Sequence, residues 1–274
     1  MLQESADFRA EAEALHEFLL TLEPADWQRP TQFMDWTPWD VVAHLHYFDL
    51  VSKFSLEGRD AFAAKRDELI GWMGQGRTNR EIARGELGDL APDELLARWK
   101  TTFEELTDAL SASDPKRRLP WFGPDMGVRM FTTARYMETW AHGQEIRDLK
   151  SVARVYDDRI RNIVAIGVKT FGWTFVNRGE EVPGPPPWVR LEAPSGEIWE
   201  YGEPSDEDFV KGSAAEFCHV VTQGRNIADV DLEVRGPVAT RWMSIAQCFA
   251  GGPVDPPAPG TRGPRGGKSG EAGE

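Results

Sequence analysis

The first 150 residues carry four strong amphipathic helix patterns and almost no strand signal, which restricts this half of the chain to helical folds. The four patterns cover residues 5–22, 37–56, 92–113 and 128–149. A further helical stretch at 60–87 is interrupted by glycines and is expected to break near Gly74. Long helices with connections of this length favour a four-helix bundle, a fold that builds metal sites in its core from side chains on facing helices.

The second of these helices has the clearest start. Thr37 suits the N-cap, Pro38 the first helical position and Asp40 the third, a combination typical of helix beginnings. With this start, His44 falls on the same stripe as the apolar residues and is expected to face inward. His46 is expected to face elsewhere on the helix. The chain has only five histidines, so an inward-facing one is a candidate metal ligand.

Glu138 and His142 lie four residues apart in the fourth helix, so both side chains project from one face, one turn apart. A carboxylate and an imidazole at that spacing can bind one metal ion, with His44 as the third ligand. Three protein ligands leave a tetrahedral ion one open position, as in catalytic zinc sites. Ni²⁺, Co²⁺ and Fe²⁺ also suit these donors. Taken alone, such a pair is usually solvated, and a histidine on an apolar stripe is usually part of the core.

The character of the chain changes after residue 150. Helix patterns at 157–177, 214–222 and 237–249 alternate with strand patterns at 188–193, 198–201 and 230–234. We therefore expect an α+β protein overall, with a metal-binding four-helix bundle at 1–150 and a small α+β domain at 151–250. From 251 to 274, 13 of 24 residues are Gly or Pro, which predicts a disordered tail.

Composition argues against several classes of function. The formal net charge of −14 disfavours binding to nucleic acid or anionic lipid, because both need a basic protein surface. No run approaches the roughly 18 apolar residues of a membrane helix, and the N-terminus lacks the basic and apolar regions of a signal peptide. We expect a soluble cytoplasmic protein in which Cys218 and Cys248 are buried, reduced thiols.

Two helix segments resemble motifs of a known family. Residues 36–45 read WTPWDVVAHL and resemble the W-T-x-x-D-V-x-A-H-L segment of the DinB-like superfamily, in its mycothiol-dependent maleylpyruvate isomerase branch. Residues 135–146 read RYMETWAHGQEI and resemble that branch's R-x-x-E-x-x-x-H-x-x-D-I helix, with Glu145 where the family often has Asp. The resemblance implies a divalent metal, usually zinc, bound by His44, Glu138 and His142.

The second half is similar to the same branch in shorter segments. These are Gly196–Trp199, Val210–Ala214 and Val221–Arg225, which resemble its sterol-carrier-like C-terminal domain. In the isomerase, an arginine of that domain closes over the bound thiol cofactor. The resemblance therefore implies a catalytic and cofactor-binding arginine, for which Arg225 is the best match and Arg235 and Arg241 are rivals.

The function implied is that of a divalent-metal-dependent enzyme with a low-molecular-weight thiol, mycothiol or a similar compound, as cosubstrate. The thiol would serve S-transfer or thiol-assisted isomerisation of a small electrophilic substrate, and Zn²⁺ is the expected metal. Two alternatives stay open: a metal- and small-ligand-binding protein without turnover, and a hydrolase that uses metal-bound water. We expect a monomer or homodimer whose partners are small molecules, with no nucleic-acid or membrane partner.

Overall fold

The computed structural model describes residues 2–264. Internal contacts divide the chain into two units, Met1–Gly143 and Gln144–Glu274. The boundary between these units, after Gly143, lies close to residue 150, where the sequence predicts the division into two domains. That these units are separate domains remains a prediction.

Unit 1 is helical. Its elements are α1 (Gln3–Leu19), α2 (Pro38–Glu57), α3 (Arg59–Gly74), α4 (Asn79–Leu87), α5 (Pro92–Ala112) and α6 (Val128–Lys150), with a two-stranded antiparallel hairpin of β1 (Arg118–Leu119) and β2 (Met126–Gly127) before α6. The expected break near Gly74 separates α3 from α4. The last turns of α6 extend into unit 2.

The four long helices predicted from the sequence, α1, α2, α5 and α6, form the bundle of unit 1. Helix α5 packs against both α1 and α2. The side chains of Phe8, Trp99 and Trp140 are almost completely buried in its core. Helix α6 approaches α1 closely at Gly143, where an added Cβ would lie 3.1 Å from the side chain of Leu15. A methyl group at position 143 would therefore require the side chain of Leu15 to shift by a few tenths of an ångström.

Unit 2 combines helices with a four-stranded sheet, and the α+β class expected from the sequence is confirmed. Its elements are α7 (Arg161–Lys169), α8 (Phe171–Val176), β3 (Trp188–Glu192), β4 (Ile198–Tyr201), β5 (Phe209–Ser213), α9 (Ala214–Val221), β6 (Glu233–Arg235) and α10 (Pro237–Ile245). The strand order is β4-β3-β5-β6, with β3 and β5 parallel and the other pairs antiparallel. Helix α9 packs against β3 and β5.

The structure corrects the sequence prediction in unit 2. The helix expected at 157–177 divides into α7 and α8, which meet at Thr170. Residues 209–213 form β5, although the sequence suggested only the approach to a helix. This strand exists because it pairs with β3 over its whole length, from Trp188 opposite Phe209 to Glu192 opposite Ser213. Such a pairing joins distant segments and leaves no local signal.

Residues 251–264, which the sequence predicts as disordered, form no helix or strand but contact earlier segments of unit 2. Hydrogen bonds hold them: the side chain of Gln223 donates to the carbonyl of Val254 at 2.8 Å, and Asn226 donates to that of Pro257 at 2.8 Å. Gly and Pro content predicts the lack of regular structure, but not these contacts with preceding segments. The rest of the predicted tail, 265–274, lies outside the described residues.

Two expectations from composition are tested by the described residues. Cys218 and Cys248 are both buried and form no disulfide, as expected. Within residues 2–264, no helix has the length and apolar character that crossing a membrane requires.

Gly236 is a position where glycine is required. Its φ is +87°, and an added Cβ would lie 2.4 Å from the carbonyl oxygen of Glu207. Gly196 has the same φ but no atom within 4 Å of such a Cβ. We expect Gly236→Ala to destabilise the protein by at least about 3 kcal/mol, from the left-handed backbone and overpacking together. Gly196→Ala should lose only about 1 kcal/mol. Chemical denaturation of both variants measures the difference, and equal losses would contradict the predicted clash.

Candidate metal centre

Helix α2 begins where the sequence predicts, and this start sets the position of His44. The side-chain oxygen of Thr37 accepts a hydrogen bond from the backbone N–H of Asp40 at 3.3 Å. In return, the Asp40 carboxylate accepts one from the backbone N–H of Thr37 at 2.9 Å, which completes a capping box with Pro38 in the first turn. His44 follows one turn after Asp40 and is buried, as expected. His46 is buried as well.

The three predicted ligands come together in unit 1. Nε2 of His44 lies 3.5 Å from Oε2 of Glu138, and Nε2 of His142 lies 3.5 Å from the same oxygen. The three candidate ligand atoms all lie within 4.8 Å of one another. Helix α6 supplies Glu138 and His142 one turn apart, and α2 supplies His44. The i, i+4 pair and the inward histidine therefore belong to one cluster.

Two of the three ligand separations in this cluster are close to those around a tetrahedral metal ion. Two ligands about 2.0–2.1 Å from a tetrahedral Zn²⁺ lie roughly 3.3 Å apart. Hydrogen bonds between a nitrogen and an oxygen usually measure about 2.7–3.2 Å. The two distances of 3.5 Å are longer than such hydrogen bonds and close to the edge of a zinc tetrahedron. Both imidazoles also direct Nε2 to the same carboxylate oxygen, so the donors converge on one point.

The charges of the cluster also suit a cation. Burial lowers the pKa of His44 to about 4, against the opposing effect of Glu138, so the imidazole is neutral near pH 7. Burial by itself would raise the pKa of Glu138, but the neighbouring His142 and His44 hold it well below its usual range. A neutral imidazole and an ionised carboxylate are the protonation states that metal binding requires.

Aromatic rings pack against both histidines of the cluster. The indole of Trp36 stacks on the ring of His142, with centroids 5.7 Å apart and planes 3° apart, and Phe33 meets the same ring edge-on at 5.2 Å. Phe48 lies 4.7 Å from the ring of His44. Met34, between Phe33 and Trp36, has a positive φ of 49°. These rings restrict the rotation of the imidazoles and provide an apolar wall beside their donor atoms.

The aromatic wall was not predicted in this form. Trp39 on α2 and Trp140 on α6 are further aromatic residues of the same two helices. Both are buried, and the indole nitrogen of Trp39 donates to the carbonyl of Leu90 at 2.9 Å. The tryptophans in residues 27–36, just before α2, were the sequence feature that could have indicated a role for Trp36. This segment has no helical or strand periodicity, so its sequence did not show which ring would contact the histidines.

Arg225, the predicted arginine of the second half, is held in an ion pair within unit 2. Its Nη2 donates a hydrogen bond to Oδ1 of Asp148 at 2.8 Å, and its Nη1 lies 2.8 Å from Oδ2, with both side chains largely buried. Nη1 also donates to the carbonyl of Gly224 at 2.7 Å. Of the rivals, Arg235 donates to the carbonyl of Asp206, and Arg241 pairs with Glu180 on a more exposed surface. Arg225 is therefore the most rigidly held of the three.

The amino-acid sequence of this chain matches one known domain family and a mycobacterial protein. The family model of the mycothiol maleylpyruvate isomerase N-terminal domain matches residues 8–147. An uncharacterised protein of Mycobacterium tuberculosis, found in strains CDC 1551 / Oshkosh and ATCC 25618 / H37Rv, is 36% identical over 252 residues, which cover 90% of this chain and 95% of the relative.

Solved structures extend this likeness to the fold. A crystal structure of the mycothiol-dependent maleylpyruvate isomerase superposes with a TM-score of 0.51 at 16% identity, covering 80% of this chain and 87% of that chain. A histidine-to-alanine mutant of the mycothiol-dependent maleylpyruvate isomerase gives 0.50 at 15% identity, with the same coverage. At such identities the likeness concerns the fold alone. The family model spans both helices with the candidate ligands and confirms the family resemblance, and the chain belongs to the mycothiol maleylpyruvate isomerase N-terminal domain family.

Proposed function

We propose that this protein is a divalent-metal-dependent enzyme that activates a low-molecular-weight thiol for S-transfer or thiol-assisted isomerisation of a small electrophilic substrate. The thiol is mycothiol or a similar compound. The observation that carries the proposal is the convergence of two imidazole nitrogens, from His44 and His142, on one carboxylate oxygen of Glu138. Family membership and the fold shared with a mycothiol-dependent isomerase support the thiol.

His44, Glu138 and His142 would hold the metal, and Zn²⁺ is the expected ion for two imidazoles and one carboxylate. The bound metal supplies a positive charge that favours loss of the thiol proton at neutral pH. The protein keeps His44 neutral by burying it, so that its nitrogen lone pair is available. Trp36 and Phe33 shield the ring of His142 from water, which strengthens electrostatic interactions in the site.

The thiolate is the nucleophile in both proposed reactions. In the isomerisation, it adds to an activated double bond, so a carbon–sulfur bond forms and the double-bond electrons move to the activating group. Rotation about the resulting single bond and expulsion of the same thiolate give the isomer and regenerate the thiol. In the S-transfer, the carbon–sulfur bond persists and the displaced electron pair takes up a proton or leaves with a leaving group.

Arg225 is proposed to bind a carboxylate of the thiol or of the substrate. Its guanidinium is already oriented by Asp148 and by the carbonyl of Gly224. A planar guanidinium fixed in this way suits a carboxylate better than a flexible ammonium group does. Asp148 is the residue that would orient Arg225 for this task.

Removing Arg225 alone would leave Asp148 buried without its cation, so a paired substitution gives a cleaner test. We expect the double variant Arg225→Met/Asp148→Leu to fold, because apolar pairs often replace buried ion pairs at little cost. Its KM for a carboxylate-bearing electrophile should rise about 10-fold or more, the effect of one charged hydrogen bond. Its KM for the matching neutral ester should not change. Steady-state kinetics with both substrates makes the comparison, and an unchanged KM for the acid would leave Arg225 with a structural role only.

One preparation of the protein separates the proposed function from its rivals. Elemental analysis gives the metal content, and assays of thiol consumption with a series of electrophiles follow. Stoichiometric metal with thiol-dependent turnover supports the proposal. Metal without turnover across thiols and electrophiles would indicate a binding protein. Product formation that needs metal but no thiol would indicate hydrolysis by metal-bound water.

A further inference from the structure

A fully buried ion pair joins the two helices that carry the metal ligands. Arg135 on α6 directs Nε and Nη2 to Oδ1 of Asp49 on α2, at 3.0 and 2.9 Å. Exposure of the two side chains is 4% and 0%, so water does not reach the pair. Both residues lie within unit 1. Neither Arg135 nor Asp49 has a role in the proposed function as stated above.

A third helix completes the network. The indole nitrogen of Trp99 on α5 donates to Oδ2 of Asp49 at 3.0 Å, so both carboxylate oxygens are satisfied. Trp99 is itself completely buried. Asp49 therefore receives donors from α5 and α6 at once. A carboxylate that accepts one hydrogen bond from each of two other helices cannot move along the bundle axis without breaking them.

The position of this network along the helices is informative. Arg135 lies three residues before Glu138 on α6, and Asp49 lies five residues after His44 on α2. Each member of the ion pair is therefore one to two turns from a ligand on its own helix. Apolar helix faces tolerate small sliding shifts, whereas ligands must be placed within about 0.5 Å of the productive geometry. A directional ion pair near the ligands can prevent the sliding shifts that apolar packing allows.

Stability alone does not explain the pair. Burying two charges has a desolvation cost that often matches or exceeds their attraction, and apolar residues of similar size can replace such pairs without loss. The best-supported use of buried polar contacts is to fix the register of packed helices. A role in register fits the location of Asp49 and Arg135 beside the ligands.

We propose that Asp49, together with Arg135 and Trp99, positions the metal ligands by fixing α2 against α6 in the register that brings His44 to Glu138 and His142. The three are positioning residues, since none touches the metal or the thiol. The proposal rests on the metal site of the proposed function. It predicts that the network governs metal affinity and coordination geometry more than it governs folding.

The test loads Co²⁺ into the full chain and into a double variant, Asp49→Leu/Arg135→Met, in which both charges are removed together. The visible absorption of Co²⁺ reports coordination geometry, and competition with a chelator reports affinity. We expect the variant to fold but to unfold below the temperature of the parent, because the buried N–H of Trp99 loses its acceptor. We also expect it to bind Co²⁺ about 10- to 100-fold more weakly and to show an altered Co²⁺ spectrum. Parent affinity and spectrum in the folded double variant would overturn the proposal.

Two further variants keep the test decisive. Trp99→Phe removes one hydrogen bond to Asp49 while keeping an aromatic ring in the core, and should weaken Co²⁺ binding several-fold, even if the double variant does not fold. Ser55→Ala is the matched control, because Ser55 is another buried polar residue on α2, but its partner is the carbonyl of Pro120, which lies outside the two helices that carry the candidate ligands. It should lower the unfolding temperature and leave the Co²⁺ spectrum unchanged. A parent chain that binds no Co²⁺ would instead refute the metal site, and the positioning role with it.

Discussion

His44→Ala and His142→Ala are each expected to strip the metal from the protein. Either substitution leaves a carboxylate and one imidazole, and two ligands do not retain a divalent ion against a chelator. The affinity should fall by more than about 100-fold, beyond the 10- to 100-fold typical of residues that only orient ligands. Elemental analysis after exchange into chelator-treated buffer, and competition with a chelator, measure the loss.

His46→Ala provides the matched control for these two variants. His46 lies on α2, two residues after His44, and is also buried, so its removal damages the same helix to a similar extent. It does not belong to the cluster of His44, Glu138 and His142. Metal content should therefore stay at the parent level. Loss of metal in His46→Ala, or full occupancy in His44→Ala, would show that the wrong histidine was assigned.

Removal of the metal is expected to reduce thiol turnover by more than about 100-fold, and reloading should restore it. A free thiol with a pKa near 8.5 is only a few per cent thiolate at pH 7, whereas a thiol bound to a metal loses its proton. Proximity to the electrophile adds a further large factor. Thiol consumption by the parent, the chelator-stripped chain and the reloaded chain gives the three rates to compare.

The pH dependence of these rates supplies a second check. The thiolate fraction of a free thiol rises about 10-fold per pH unit until the pH reaches its pKa, near 8.5. The residual rate of the stripped chain should follow that rise from pH 6 to pH 8. The rate of the loaded chain should depend on pH much less, because its thiol is already ionised. Full turnover in a chain shown to contain no metal would rule out the proposed role of the site.

The sequence was most informative about local features of unit 1. The start of α2 was predicted correctly because Thr37, Pro38 and Asp40 interact within a single turn. The pairing of Glu138 with His142 follows from helical spacing alone. Their meeting with His44 is a contact over 94 residues, between His44 and Glu138. The inward position of His44 on its helix suggested this contact, the family motifs strengthened the suggestion, and the structure brings the three side chains together.

Contacts between distant segments were beyond the reach of local patterns. The sequence did not predict β5, since its strand character depends on pairing with β3. It also did not indicate the ion pair between Asp49 and Arg135, which are 86 residues apart. A charged residue inside an amphipathic helix is normally assigned to the solvent face. Only the packed bundle shows that these two face each other in the core.

The most direct test of the central claim is to add thiol to the Co²⁺-loaded protein and record the sulfur-to-cobalt charge-transfer absorption. A thiolate at the metal produces this absorption, and the difference spectrum removes any contribution from Cys218 and Cys248. We predict a saturable band with one thiol per metal in the parent, and no band in His142→Ala. Thiol turnover by the Co²⁺-loaded parent without any such band at saturating thiol would contradict the account.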